Sequence, residues 1–444
     1  MPLAQALELG AQIADALEVA RPDRARGENG LRFPSFLPDG KSFLYVSTPR
    51  TVEGFDVWLG SLDSDQRRHV LWTLSAPAYA EPGYLLFTVG DRLVAQRFDL
   101  SRRKLVGKPM PLGDAPPWPM FDAGTTFSAS ANGVLAHPAS SPSATPLVWL
   151  DRAGRRTGSI LLPPGSYSNP SLSPDGRWAT VTKASSSVKN DLWLVDLQRS
   201  VTTRLTLDGL VAPGWGMAVP VVWSPDSTRI AYCYDQSGVY DVYHIRVNGE
   251  WGPQPLVRSE VGYKYPLAWS PDGSYLVFTQ VGDDGLYDLW LLPMQESREP
   301  LPYLRTPFNE DFVALSPDGR WLAYDSDETG AQEIYVRSFP VPGEKYRVST
   351  AGGTVVHWSV DGTELVYFSL SQYFSGSGPI YAVEVEAKKT FRAGAPRLLF
   401  TPPRELSGLV ATADLSRFLA TVPAEGSDPA SIKVTLNWQA TLGR

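Results

Sequence analysis

Cysteine, histidine and long apolar runs are all scarce in this chain. One cysteine, Cys233, stands among 444 residues. An internal disulfide is therefore excluded, and so is a thiolate metal cluster. Cys233 sits in the apolar stretch Ile230-Ala231-Tyr232-Cys233-Tyr234, which suits a buried structural thiol. The four histidines, His69, His137, His244 and His357, have no ligand spacing, so no metal site is expected. No apolar run reaches the length of a membrane span, and the first residues lack a basic-then-apolar export signal. As written, the chain is expected to carry no membrane span and to stay in the cytoplasm. Basic residues also lag behind acidic ones, 40 against 47. Residues 1–160 hold 17 basic and 16 acidic side chains, a net of +1, and the rest hold 23 and 31, a net of −8. An acidic body repels phosphate backbones, which counts against nucleic acid as a partner.

Glycine (38), proline (39) and aromatics (11%) are plentiful by contrast. That mix suits many short strands joined by tight turns, because aromatics fit pleated surfaces and Gly and Pro punctuate them. An all-β chain is the reading. A phrase returns along it: an apolar strand, then Ser-Pro-Asp-Gly, then another apolar strand. Clear copies are Leu37-Pro38-Asp39-Gly40, Ser173-Pro174-Asp175-Gly176 and Ser224-Pro225-Asp226-Ser227. Others are Ser270-Pro271-Asp272-Gly273, Ser316-Pro317-Asp318-Gly319 and Ser359-Val360-Asp361-Gly362. Weaker copies sit at Glu81-Pro82-Gly83, Ala131-Asn132-Gly133 and Ala413-Asp414-Leu415. Neighbouring copies lie about 43 to 53 residues apart, the period of a four-stranded propeller blade.

The phrase has a mechanical meaning. Pro pre-sets φ for the first central position of a type I turn, Asp suits the second, and Gly takes the left-handed position that follows. A third-strand phrase comes later in each unit: Asp56-Val57-Trp58-Leu59, Asp191-Leu192-Trp193-Leu194, Asp241-Val242-Tyr243, Asp288-Leu289-Trp290-Leu291 and Glu333-Ile334-Tyr335-Val336. Its aromatic is expected to wedge between adjacent blades. A more polar fourth strand, such as Thr202-Thr203-Arg204-Leu205, completes four antiparallel strands.

Ser-Pro-Asp-Gly with a later Asp-Leu-Trp-Leu resembles the WD-like repeat of TolB-type β-propellers. The order of variants adds to this. Pro34 to Gly40, Pro82 to Phe87, Phe127 to Ala136, Ser349 to Gly353 and Ile432 to Trp438 resemble, in series, the propeller region attached to bacterial serine/threonine protein kinases. The resemblance covers residues 30–440. It implies a sensor region, often separated from its kinase by a membrane helix and then extracytoplasmic.

Residues 1–20 are predicted to be an amphipathic α-helix, with Leu3, Leu7, Ala14 and Leu17 near one stripe. Leu7-Glu8-Leu9 and Gln12 to Leu17 resemble the kinase helix before the catalytic loop. The segment reads either as a kinase remnant or as a chance helix that caps the propeller. Val19-Ala20 runs into Arg21-Pro22-Asp23-Arg24, without the His-Arg-Asp loop, the Gly-rich loop, the strand lysine or Asp-Phe-Gly. Phosphotransfer is therefore not expected. Residues 21–30 read as a linker.

Six copies, with turn residues Asp175, Asp226, Asp272, Asp318, Asp361 and Asp414, predict a six-bladed ring over 156–440. Thr157 to Leu162 would pair with Ile432 to Trp438 as its clasp. Residues 31–155 would be three further blades with bare edge strands, prone to self-association. One ring of eight or nine blades is the alternative. A hydrolase would need Gly-x-Ser-x-Gly, and Ser375-Gly376-Ser377-Gly378 lacks the first Gly. No catalytic residue and no cofactor is assigned. Asp283-Asp284 and Asn309-Glu310-Asp311 read as solvated turn charge rather than a calcium loop. Ligand-binding candidates lie in loops expected at the channel mouth: Tyr167, Asn169, Trp215, Lys264, Tyr265, Asn309, Glu310, Asp311 and His357. Aromatics mixed with charge suit a protein or peptide partner, or a small ligand. The same side chains would otherwise pack against the next blade.

Overall fold

A computed structural model of the chain describes residues 30–442 except 49–54, 74, 90–91, 115–126, 131, 139–145, 166, 185–189, 208–220, 236–239, 251, 259–261, 283, 296–298, 370–377, 403–405, 407 and 423–431. The helix expected over 1–20 and nearly all of the linker lie outside the described residues. Gly30 already begins the first strand, Gly30–Phe36. Among the described residues almost every element is a β-strand, paired antiparallel in nine sheets. Two compact units result, one over Pro142–Ser185 and Lys189–Ser427, the other over the rest.

The larger unit is a six-bladed β-propeller. Its first strands are Tyr167–Leu172, Val222–Trp223, Lys264–Trp269, Glu310–Leu315, Thr354–Trp358 and Gly408–Ala411. Each opens a sheet, these sheets are blades 1 to 6 in the order given, and in blades 1 to 4 the strands run outward in chain order. The repeated turn joins first strand to second. In blade 1, Ser173 Oγ donates to Asp175 Oδ1 (2.6 Å) and accepts from the Trp178 amide (2.9 Å), while the Gly176 amide donates to the Ser173 carbonyl (2.9 Å). Gly176 has φ +68°, the left-handed region the sequence called for. Ser270–Asp272, Ser316–Asp318 and Ser359–Asp361 repeat the hydroxyl-to-carboxylate bond at 2.6, 2.7 and 2.6 Å.

Six interblade cores hold the ring. Leu192, Trp223 and Tyr232 join blades 1 and 2, and Val242, Trp269 and Phe278 join 2 and 3. Leu289, Val313 and Tyr335 join blades 3 and 4, and Ile334, Trp358 and Leu365 join 4 and 5. Phe368, Ala382 and Phe418 link blade 5 to 6, and Leu147, Leu419, Tyr167 and Val181 link 6 back to 1. Each buried Leu, Val or Phe contributes about 1.5–3 kcal/mol by leaving water.

The clasp differs from the one expected. Leu147–Asp151 pairs with Arg417–Thr421, from Leu147↔Thr421 to Asp151↔Arg417, and Arg156–Ile160 lies outside it. Ile432–Leu436 pairs instead with Val134–Pro138. The reason is visible in composition: Leu147-Val148-Trp149-Leu150 is itself a third-strand phrase, so it takes the place beside the second strand of blade 6. Trp438, fully buried, anchors the chain end against Tyr84 and Leu135 in the smaller unit. The expected boundaries at 156 and 440 thus move to 142 and 427. With blade 6 completed in this way, the larger ring has no place for the three N-terminal sheets, which removes the single eight- or nine-bladed ring. Gly408 permits the close approach of blade 6 to blade 1, since a Cβ there would lie 2.5 Å from Pro170 Cδ and 2.9 Å from the Asn169 nitrogen.

The smaller unit holds the other three sheets. Gly30–Phe36, Ser42–Thr48, Phe55–Ser61 and Ser64–Thr73 form one, and Ala78–Ala80, Tyr84–Val89, Arg92–Asp99 and Lys104–Asp114 form the next. Ser128–Ala129, Val134–Pro138 and Ile432–Leu436 form the third. Leu44, Val57, Leu85 and Phe98 pack the first sheet on the second, and Leu86, Ala95, Leu135 and Trp438 pack the second on the third.

Candidate functional site: the channel of the six-bladed ring

First strands of the six blades surround a cavity of about 360 Å³. All six supply lining residues, among them Asn169, Trp223, Leu267, Phe312, His357 and Val410. Four of these strands are irregular in the same place, with register shifts at Ser168/Ser171, Pro266/Ala268, Asp311/Ala314 and Thr354/Val356. A bulge of this kind re-aims side chains and leaves a residue out of the ladder. It also accommodates Pro170 and Pro266, whose missing N–H would otherwise break a ladder bond. Asn169 and Phe312 take φ +51° and +41° there. Asn tolerates that region, whereas Phe is strained in it.

The wall is mainly apolar and polar at few points. Ser171 Oγ is committed, donating to the Val221 carbonyl at 2.7 Å. His357 Nε2 is buried without a hydrogen-bond partner, and its ring meets Phe368 edge-on at 5.8 Å. Burial pushes the imidazole down to about 4, so it is neutral at pH 7. A neutral imidazole offers one donor or one acceptor and no charge.

Most of the sequence-predicted ligand residues occupy strand ends between blades rather than exposed loops. Tyr167 begins the first strand of blade 1, 2% exposed, beneath Lys183 Nζ at 5.2 Å from its ring. Burial holds its hydroxyl up at about 12. Lys264 is fully buried, with Nζ 3.1 Å from Asp241 Oδ1 and 3.2 Å from the Gly262 carbonyl. It is the counter-ion of a structural acid. That pairing repeats with other cations: Arg204 on Asp191 (2.7 Å), Arg305 on Asp288 (3.2 Å) and Arg347 on Glu333 (2.7 Å). The acid of the third-strand phrase is thus a tie within and between blades. Tyr265 is buried, and desolvation raises its hydroxyl well above the ordinary value. Asn309 bonds Asp327, its amide nitrogen Nδ2 2.6 Å from Oδ2. Asn169 and His357 line the cavity, and Trp215 lies outside the described residues. So does most of the Ser375 to Gly378 segment.

Glu310 and Asp311 are not solvated turn charges. They open the first strand of blade 4 and are 2% and 7% exposed. Asp311 pairs in register with Asp325, itself fully buried. Burial pushes Glu310 and Asp311 up to about 7 and lifts Asp325 well above the carboxylate range, with Asp311 adding to the last. Thr306 Oγ1 donates to Glu310 and Thr354 Oγ1 to Asp325, while Glu310 Oε2, Asp311 Oδ1 and Asp325 Oδ1 lack partners. Sequence reasoning missed Asp325. The signal was an acid inside the apolar strand Trp321–Ser326, where a charge is costly and a proton is retained. None of the three carboxyls lines the cavity. Among the described residues no group of three His, Cys, Asp or Glu is placed to hold a metal ion, and no helix is long and apolar enough to cross a membrane.

Fold and channel together define a six-bladed β-propeller with three further sheets in a second unit. The chain matches no protein-family model. Among solved structures it is similar to a TolB protein of Agrobacterium tumefaciens, with TM-score 0.50 and 16% identity, over 64% of this chain and 99% of that one. A TolB of Acinetobacter baumannii matches at TM-score 0.43 and 12% identity, over 77% and 79%. A prolyl endopeptidase matches at 0.37 and 13%, over 98% of this chain and 56% of the other. At such identities the likeness speaks for the fold alone.

Proposed function

We propose that the chain is a non-catalytic binding module whose six-bladed ring takes a peptide segment of a protein partner, or a small uncharged ligand, at its channel. The observation that carries this reading is the cavity of about 360 Å³ whose lining residues include two with buried, partnerless polar atoms, His357 Nε2 and Trp223 Nε1, in a mainly apolar wall. Pockets that bind ligands pair apolar lining with a few placed polar groups. The strained backbone at Phe312, on the same wall, adds support. A neutral imidazole favours an uncharged hydrogen-bonding group over a carboxylate or phosphate. On the same reading, and in line with the sequence resemblance, the ring descends from the sensor region of a kinase-linked receptor. The sequence lacks a kinase catalytic loop and a complete hydrolase elbow, which supports binding over catalysis. A peptide-display screen against the immobilised chain tests the proposal. Peptides enriched by the parent and lost on His357→Phe, which fills the channel, are the expected result. Enriched peptides indifferent to that change, or none at all, would count against it.

A further inference from the structure

The third sheet of the smaller unit departs from the other eight. It has three strands where they have four or more, and Ile432–Leu436 is its edge among the described residues. Ile432, Val434 and Leu436 are 64, 55 and 69% exposed, and alternate residues of a strand share one face. Among the described residues no strand pairs with their outer side either. The Ser130 amide donates to the Val134 carbonyl at 2.8 Å, so Val134 turns its polar groups toward Ser128–Ala129. Alternation along an antiparallel pair then directs Leu135 and His137 toward Thr435 and Lys433. The amides and carbonyls of Ile432, Val434 and Leu436 are left facing the free edge. One set of three residues thus supplies both an apolar face and a row of hydrogen-bonding groups.

We propose that this edge pairs with a second copy of the chain, antiparallel, about a two-fold axis at Val434. The strand's own pattern selects that occupant. Ile-Lys-Val-Thr-Leu alternates symmetrically about its middle residue, so an axis at Val434 uses all five positions. Ile432 then faces Leu436 of the second copy, Val434 faces its equivalent, and Lys433 faces Thr435. No like charges oppose each other, whereas an axis at Lys433 would set two lysines face to face. Such an isologous contact closes on itself and protects an otherwise bare edge. The partner sits on the smaller unit, so this inference is independent of the channel reading.

The full chain tests it directly. Sedimentation velocity across the micromolar range is expected to show a species of twice the monomer mass. Val434→Cys should cross-link to itself under mild oxidation, because directly opposed residues lie about 5.5 Å apart between Cα atoms, within disulfide reach. The native Cys233 is buried and serves as the silent background. Val201→Cys, equally exposed at 55%, is the comparison position and should stay reduced. Val434→Lys places two lysines across the axis and should raise the dissociation constant about tenfold or more, with circular dichroism unchanged. A chain that stays monomeric would overturn the proposal. Cross-linking no faster at 434 than at 201, or association indifferent to Val434→Lys, would do the same.

Discussion

The larger unit and the smaller one are written in the same repeat, yet only the larger closes. Six sheets let every blade face meet a neighbour, and the last blade is completed by Leu147–Asp151 from the opposite end of the unit. Three sheets do not, and the terminal one keeps Ile432, Val434 and Leu436 in the open. A propeller repeat therefore encodes a blade and its sticky faces, not their number. Closure depends on where a spare third-strand phrase falls.

The sharpest contrast is between matched leucines. Leu419 is fully buried at the junction of blades 6 and 1, so Leu419→Ala should cost about 2–5 kcal/mol in urea unfolding. Leu436→Ala, at the open edge, should change monomer stability by less than about 0.5 kcal/mol. Equal costs would erase the distinction between the units. Next in size is the cation tying blade 6 to blade 5. Arg152 sets both guanidinium nitrogens 2.8 Å from the two Glu364 oxygens and donates to the Leu415 carbonyl at 3.0 Å. Arg152→Ala should lower stability by about 1.5–3 kcal/mol, read by the same titration.

A third prediction concerns pH. Burial holds Asp311 up at about 7 in the folded ring, far above the ordinary carboxyl value. A raised folded value means the native state binds the proton more tightly than the unfolded chain. The resulting stability is full at low pH and is lost as pH rises through about 7. Asp311→Asn should melt above the parent at pH 8 and lose that advantage at pH 5, by thermal scans at the two values. The smallest effect belongs to the turns. Hydrogen bonds from Thr412 and Ser416 hold Asp414 down at about 2, so its contribution is present above the ordinary carboxyl value and disappears as pH falls toward 2. Asp414→Ala should cost about 0.5–1.5 kcal/mol at pH 7 and nothing at pH 2.

Much of this was legible beforehand, because turn chemistry is local. Ser173, Asp175 and Gly176 need only each other to make their hairpin, and their spacing gave blade after blade. The clasp was harder to read, since Leu147–Asp151 and Ile432–Leu436 both look like strands and only packing decides their partners. Trp438 ties the last strand to the smaller unit by packing against Leu86, Ala95 and Leu135 there. The channel residues were harder still. Lys264, Glu310 and Asp311 carry charge and sit before apolar runs, which suggested solvent-facing loops. Burial between blades converted the first into a counter-ion and the others into proton-holding acids. His357 was found for its polarity, while Asp325 was overlooked because its neighbours are apolar.

The ring closure itself can be measured through Val148 and Ala420, which stand opposite each other in the clasp and are both buried. Replacing both with cysteine should yield an intramolecular disulfide in the folded chain under mild oxidation, detected by mass and by thiol titration. Two thiols left reduced in folded protein, or efficient bridging of Ser159→Cys to Thr435→Cys instead, would contradict a six-bladed ring closed at this seam.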